Sequence, residues 1–360
     1  MSLFDTKSNR ILIEAPLKPL QGHRFQPTGF ADLGAAEYER PDGTRMLLVE
    51  SAQSMANRLE KVCLADDGIS LSEELKGLPY VEVTLTGDST AKTSSLAEAH
   101  RVNSPFVLGG RGDGTDGKPF ALTLVKAMDF VEGQSPNWQK VAVGLMKYDP
   151  SSILHGLFLA NLTKCKPKIE GGDRIRIPRA ITGFIEASDV REVSSGGVKN
   201  SYVDPHGTLR VREVEGDVYS NVPYHRREFT AKNITAFFAI DVELLRSYRL
   251  PDPATKLLLA LALYKIRRFL DGGMRLRTAC DFVHDGEAQL TEPTGKALPD
   301  GNVISLAVKA GIAECRTFFA DPPVTKLVAE ATRQREKLTT AASDAAIADV
   351  GDDKNDELEE

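Results

Sequence analysis

Five side chains with hydrogen-bonding heads crowd one short stretch of this chain. Ser51, Gln53, Ser54, Asn57 and Arg58 all fall within LLVESAQSMANRLEKVC, residues 47–63. Hydroxyl, amide and guanidinium groups donate to the oxygens of a phosphate backbone, so the chemistry they suit is phosphodiester contact. Met55, Leu59 and Val62 recur at i, i+4 and i+7, which makes the segment an amphipathic helix with Asn57, Arg58 and Lys61 on its outer face. Ser51 is the expected N-cap. The unpaired N–H groups and positive dipole end of such a helix attract anions, and donors in its first turns extend that site. The same residues also suit an ordinarily capped surface helix.

A second basic constellation lies between residues 256 and 277, where Lys256, Lys265, Arg267, Arg268, Arg275 and Arg277 face the single acid Asp271. Arg275 and Arg277 alternate along an expected strand and so share a face. Gly272 and Gly273 carry no Cβ to keep a ligand off the backbone. Phosphodiester contact again fits, because such affinity is mostly electrostatic and carries no base identity. A glycine-capped helix followed by a solvated strand fits as well. Arg174 and Arg176 form a third group, alternating with Ile175 and Ile177 in RIRIPRAITGFIEA, a strand with one basic face whose start Pro178 restricts to an edge or a bend. Arg24 and Gln26 are further candidates. Tyr202, Tyr219 and Tyr224 lie in a punctuated, hairpin-like region where exposed rings could stack bases, whereas Phe237 and Phe238 read as core.

Other chemistries find less support. GGRGDGTDGKP spaces Gly112, Gly117 and Lys118 like a phosphate-binding loop, but Pro119 stands where Ser or Thr must hold magnesium, so the stretch reads as a flexible surface loop. The six histidines form no metal pair, and His155 in SSILHGLFLANL reads as a packing residue. Cys63, Cys165, Cys280 and Cys315 show no paired spacing and read as reduced, mostly buried thiols. No G-x-S-x-G nucleophile motif occurs. Neither a metal nor a cofactor is expected, and no catalytic residue is assigned.

The elements that must hold these groups follow from periodicity. A strand is expected over 10–15, then the run at 46–50 leading into the helix described above. The next hundred or so residues read as an insertion or subdomain: a strand over 80–86, an apolar helix near 121–131, a strand over 141–147 and a helix from 151. After the strand over 174–187 comes a long protruding hairpin spanning 194–223. Then follow the strand AKNITAFFAIDVEL, the strongly apolar helix ATKLLLALALYKIRRFL, closed by Asp271-Gly272-Gly273, and a strand over 275–283. The core order β-α-insert-β-hairpin-β-α-β is the ferredoxin-like, RRM-type order of an α+β fold.

Composition bounds the reading. At 360 residues with 41% hydrophobic and 27% charged content, the chain suits a globular fold with a sizeable core. The formal charge of -6 is mostly terminal: residues 336–360 hold nine acids against Lys337 and Lys354, and removing that -7 leaves the body at +1. This Ala-rich, then acidic tail is expected to be disordered. The start, MSLFDTKSNR, has no apolar leader, and LLLALALY is too short to span a bilayer, so no membrane association and a cytoplasmic location are expected.

Ser51-Ala52-Gln53-Ser54 followed by Asn57-Arg58 resembles the helix-start signature of the RAMP backbone subunits that line guide RNA (crRNA) in type I CRISPR surveillance (Cascade) complexes. LVESAQSMANRLE and RFQPTGFADLG are most similar to the type I-U branch, also called I-G, and the similarity runs over most of residues 10–283. The resemblance implies a RAMP domain over 1–335, followed by the acidic tail 336–360. Within it, an RRM-like palm comprises 10–63, 174–190 and 228–285, interrupted by a finger-like insertion over 64–173 and a thumb hairpin over 191–227. It further implies that copies stack head to tail along the guide beside other Cascade subunits, and that complementary target DNA pairs with the exposed guide. Ser51, Gln53, Asn57 and Arg58 would then hold guide phosphates, with Arg275 and Arg277 on the same path. Ala56 and Asn57 stand where relatives often carry basic residues, a departure at that turn. Two other functions compete. Related type III subunits cut RNA with a loop aspartate, which would make this chain a metal-dependent endoribonuclease, though acids such as Asp32 are no more than loop aspartates here. A small-molecule enzyme built on the loop at 109–118 would depend on Lys118.

Overall fold

The computed structural model describes residues 3–87, 91–200, 221–295 and 297–330. Tyr202, Tyr219 and the acidic tail lie outside the described residues. The elements that matter most are strands β1 (Arg10–Pro19) and β2 (Arg45–Glu50), helix α1 (Ala52–Lys61), strand β3 (Tyr80–Thr86) and helix α2 (Trp138–Tyr148). Then come β4 (Ile181–Ser188), β5 (Arg191–Asn200), β6 (Asn221–Thr230), β7 (Asn233–Asp241), helix α3 (Asp252–Asp271), β8 (Cys280–His284) and β9 (Val324–Glu330).

A mixed α+β architecture results, organised by an antiparallel sheet in the order β8, β1, β7, β4, β2. Period-two alternation builds it: Ile11, Ile13, Ala15 and Leu17 of β1, Ile181, Ile185 and Ala187 of β4, and Ile234, Ala236, Phe238 and Ile240 of β7 all point to one buried face. β1 pairs with β7 from Arg10↔Asp241 to Leu17↔Ile234, and β4 pairs with β7 from Ile181↔Ile240 to Ser188↔Asn233. Helices α1 and α3 cover this face. Met55 of α1 packs over Gly183 of β4, where an added Cβ would meet Phe238 at 2.6 Å, so only glycine permits the approach. The Phe238 and Phe269 rings meet edge to face at 6.1 Å and bring α3 onto the sheet. Residues 257–263 of α3 are buried all round, as an apolar helix must be when a second layer covers its outer side. Here that layer is the helix Gly301–Glu314, whose Gly311 sits against Leu257.

Four expectations about elements are corrected. Residues 141–147, read as a strand from their valines, form the middle of helix α2, capped by Asn137 accepting from the Lys140 N–H at 3.2 Å. Val141, Ala142, Leu145 and Met146 are all buried, a helical face that short-range β propensity concealed. The basic strand expected over 174–187 is broken: Gly172–Arg174 is a 3-10 turn, Arg176–Ile177 pairs with Leu157–Phe158, and the sheet strand starts at Ile181 beyond Pro178. The strand expected over 275–283 is two short strands, Arg275–Arg277 and β8, reversed through Ala279 at φ 57°. Finally, the glycine-rich stretch is tied down rather than loose, since Arg111–Gly112 pairs with β9.

β9 also runs parallel to β3 from Val324↔Tyr80 to Glu330↔Thr86, so a C-terminal strand completes a second sheet with the segment read as an insertion. β5 and β6 form the long hairpin, in continuous register from Arg191↔Thr230 to Asn200↔Asn221. Among the described residues no helix is long and apolar enough to cross a membrane.

Candidate nucleic-acid interface

Strand β2 ends in Glu50, which is fully buried, and the chain turns there into α1. Ser51 caps the helix as expected: its φ and ψ are -74° and 157°, and its Oγ accepts from the Ser54 N–H at 3.3 Å. Met55, Ala56 and Leu59 face the core, while Gln53, Asn57 and Lys61 are exposed. The exposed donors and the open N–H groups of the first turn therefore lie on one accessible surface.

Beneath that surface Glu50 gathers three other candidates. One carboxylate oxygen accepts from the Ser54 hydroxyl and the Arg58 Nε, and the other accepts from Arg277 Nη2. Arg58 also donates to the Leu276 carbonyl at 2.6 Å and the Arg275 carbonyl at 3.4 Å. Arg277 donates to the Val49 carbonyl at 3.1 Å and the Gln26 carbonyl at 3.4 Å. Both guanidiniums are 25% exposed and both are engaged in tying α1, β2 and the 275–277 turn into one unit. Two arginines share one buried carboxylate, so the cluster keeps a net positive charge under the helix start. Arg275 is different: its side chain is 75% exposed and meets Asp281 only at 3.7 Å. Gly273 at φ 64° makes the turn that projects it. Gly272 closes α3, its N–H reaching the Phe269 carbonyl. Burial pushes the Cys280 thiol beside Arg277 up to about 12, so it stays protonated next to that cation.

Gln26 links this cluster to the hairpin. Its side-chain oxygen accepts from Arg226 of β6 and its N–H donates to Ala279 at 2.8 Å. Arg24 is 59% exposed and meets the buried Glu228 at 3.4 Å. Phe25, fully buried, pairs with Phe229 and packs edge to face on Phe282 at 5.5 Å, fixing the hairpin's base to β8. Tyr224 stands on β6, 41% exposed. Arg174 and Arg176 make no contact with the Glu50 cluster. Both are exposed, and the Arg176 guanidinium lies over the Phe158 ring at 4.1 Å.

The model of the family described as CRISPR-associated protein GSU0053 matches residues 11–192. The chain belongs to this family. That description agrees with the CRISPR association in the resemblance drawn from the sequence. The matched span takes in β1, the capped start of α1 and β4, and so most of the Glu50 cluster. Two solved structures are similar at lower levels. One is titled "CRISPR RNA-guided surveillance complex, pre-nicking" (TM-score 0.36, 13% identity, 77% of this chain and 74% of that chain). The other is "Crystal structure of Thermofilum pendens Csc2" (TM-score 0.30, 11% identity, 88% of this chain and 81% of that chain). No curated protein matches the chain.

Sequence reasoning missed two residues that shape this region of the family member. Glu50 was passed over as the last residue of an apolar strand, although a carboxylate there, directly before a cap and eight residues before an arginine, is itself a signal of buried pairing. Arg179 sits inside the run expected as one strand, which hides it; it donates to the Ala52 carbonyl at 3.4 Å, beside the start of α1.

Proposed function

We propose that this chain is a non-catalytic guide-RNA-binding scaffold that multimerises to form the backbone of a CRISPR surveillance complex of the type I-U (I-G) kind. The observation that carries the reading is the family match across residues 11–192, which includes the capped helix start. The antiparallel order β8, β1, β7, β4, with α1 and α3 on one face, supports reading the sheet as the RRM-type palm. The β5–β6 hairpin suits a thumb that reaches over the next copy. In this reading Gln53, Asn57 and the first-turn N–H groups of α1, with Ser51 and Ser54 setting the cap, hold guide phosphates. Arg275 adds charge on the same path, while Arg58 and Arg277 supply the positive field and the rigidity beneath it. Such contacts read backbone shape, and the exposed guide bases pair with target DNA. Other Cascade subunits and further copies of this chain are the expected partners.

The test is expression with and without a CRISPR array, followed by measurement of particle mass and sequencing of bound RNA. Co-purified repeat-spacer RNA, intact after incubation with magnesium or manganese, in a particle of several copies is the expected result. A nucleic-acid-free monomer that ignores added guide RNA, or metal-dependent cutting of the bound RNA, would overturn the scaffold reading.

A further inference from the structure

A groove of about 660 Å³ opens where the Arg176–Ile177 ribbon meets residues 99–103 and 155–161. It is lined by His100, Arg176 and Arg179, by the exposed ring of Phe158, and, among the described residues, by no carboxylate. Arg101, on its wall, is already engaged: it grips Glu60 through two nitrogens and donates to the Gly156 carbonyl at 3.2 Å. Arg176 and Arg179 are both exposed, and among the described residues neither has an acidic partner. Phe158 is 43% exposed, a ring left in solvent beneath a guanidinium.

His155 lies behind the groove wall. It is 1% exposed, and its Nε2 lies 2.9 Å from Lys265 Nζ. An ammonium can only donate, so Nε2 accepts and the imidazole proton sits on Nδ1. That Nδ1 is buried and has no partner. An unsatisfied buried donor costs free energy unless something accepts from it.

We propose that this groove binds one nucleotide unit of single-stranded nucleic acid. The base stacks at the Phe158 and Arg176 platform and the phosphate is held by Arg179 and His100. An aromatic face serves any base, and unpaired arginines serve any phosphate, so the contact is sequence-tolerant. The Arg179 bond to Ala52 sets the groove beside the first turn of α1, so a strand lying on that turn can continue into it. The site adds to the scaffold reading without resting on it, since guide or target strand could fill it.

The experiment uses the full chain purified without guide and measures binding of fluorescent single-stranded RNA and DNA oligonucleotides by anisotropy over a salt series. Phe158→Ala should weaken binding roughly tenfold. Arg179→Gln should weaken it severalfold and reduce the slope of log K against log salt by about one. Lys309→Gln, on the exposed side of the helix Gly301–Glu314, is the charge control and should change little. Thermal melts of each variant keep folding separate from binding, and Arg176→Ala provides a second loss of the platform should Phe158→Ala fail to fold. Tighter binding of RNA assigns the groove to the guide, and tighter binding of DNA assigns it to the target strand; either supports the site. Wild-type affinity in both Phe158→Ala and Arg179→Gln, no oligonucleotide binding at all, or equal competition by poly-glutamate overturns it. Failure of guide co-purification with groove binding intact would overturn the scaffold reading alone.

Discussion

Two arginine-rich regions flank the start of α1, and they differ in what lies under the charge. At the Glu50 cluster, Arg58 and Arg277 close on a fully buried carboxylate and on carbonyls of neighbouring elements. At the groove, Arg176 and Arg179 lie in solvent with a ring and backbone carbonyls for company and, among the described residues, no acid. The first region is framework carrying a residual positive charge; the second is uncommitted electropositive surface. A basic residue in a sequence marks charge, but whether that charge is available depends on which carboxylate the fold places beneath it.

The largest expected effect that would break this contrast is on Glu50. Glu50→Gln keeps the shape and leaves two arginines without their counter-charge, so stability should fall by about 2–4 kcal/mol, the cost of unpairing buried ions moderated by partial solvent access. An unchanged urea midpoint would mean that the cluster does not hold the site together. Arg58→Ala should cost about 1.5–3 kcal/mol, since it removes charge-assisted bonds joining α1 to the 275–277 turn. Arg275→Ala, by contrast, should move stability by less than about 0.5 kcal/mol while weakening guide RNA binding severalfold. Equal stability losses in the two variants would erase the distinction between framework and exposed contact.

A smaller effect concerns the buried network behind the groove. Burial first, and the charge of Lys265 second, hold His155 well below its ordinary value; Arg101 and Arg179 push the same way. The folded protein keeps this ring neutral while the unfolded chain takes up a proton below about pH 6.5, so the stability it contributes is present above that pH and is lost on acidification. Asp149 acts oppositely. Burial raises its value from 3.8 to about 6, so stability is lost as pH rises through that interval. His155→Gln should therefore flatten the loss of stability below pH 6.5, and Asp149→Asn should remove the opposing slope, both read from urea midpoints across the acid range. Parallel profiles for both variants and the unaltered protein would show that neither group titrates differently on folding.

The alternating strands and the Ser51 cap were legible because each is a local pattern: period two along 10–17 and 234–240, and a hydroxyl before an amphipathic helix. Residues 141–147 were not, because valines suit a strand and only tertiary packing exposes their helical face. The break at Pro178 was foreseen as a bend but not as the end of an element, and it is this break that moves Arg176 into the groove and away from the main sheet. The pairing of β9 with β3 joins residues far apart in the chain, which no window of local sequence can register. For the site, donor types were readable at 51–58 and a lone carboxylate at Glu50 signalled a buried pair, but its second partner Arg277 was not, since the 275–277 turn reaches Glu50 only through the packing of distant elements.

The most direct test of the central claim is to map protein–RNA cross-links in the guide-loaded particle after ultraviolet irradiation. Cross-links at residues 51–57 and at Arg275, with Arg277 silent beneath them, are the result expected if the helix start holds the guide and the Glu50 cluster supports it. A loaded particle whose cross-links avoid the start of α1 and the 275–277 turn would contradict the account.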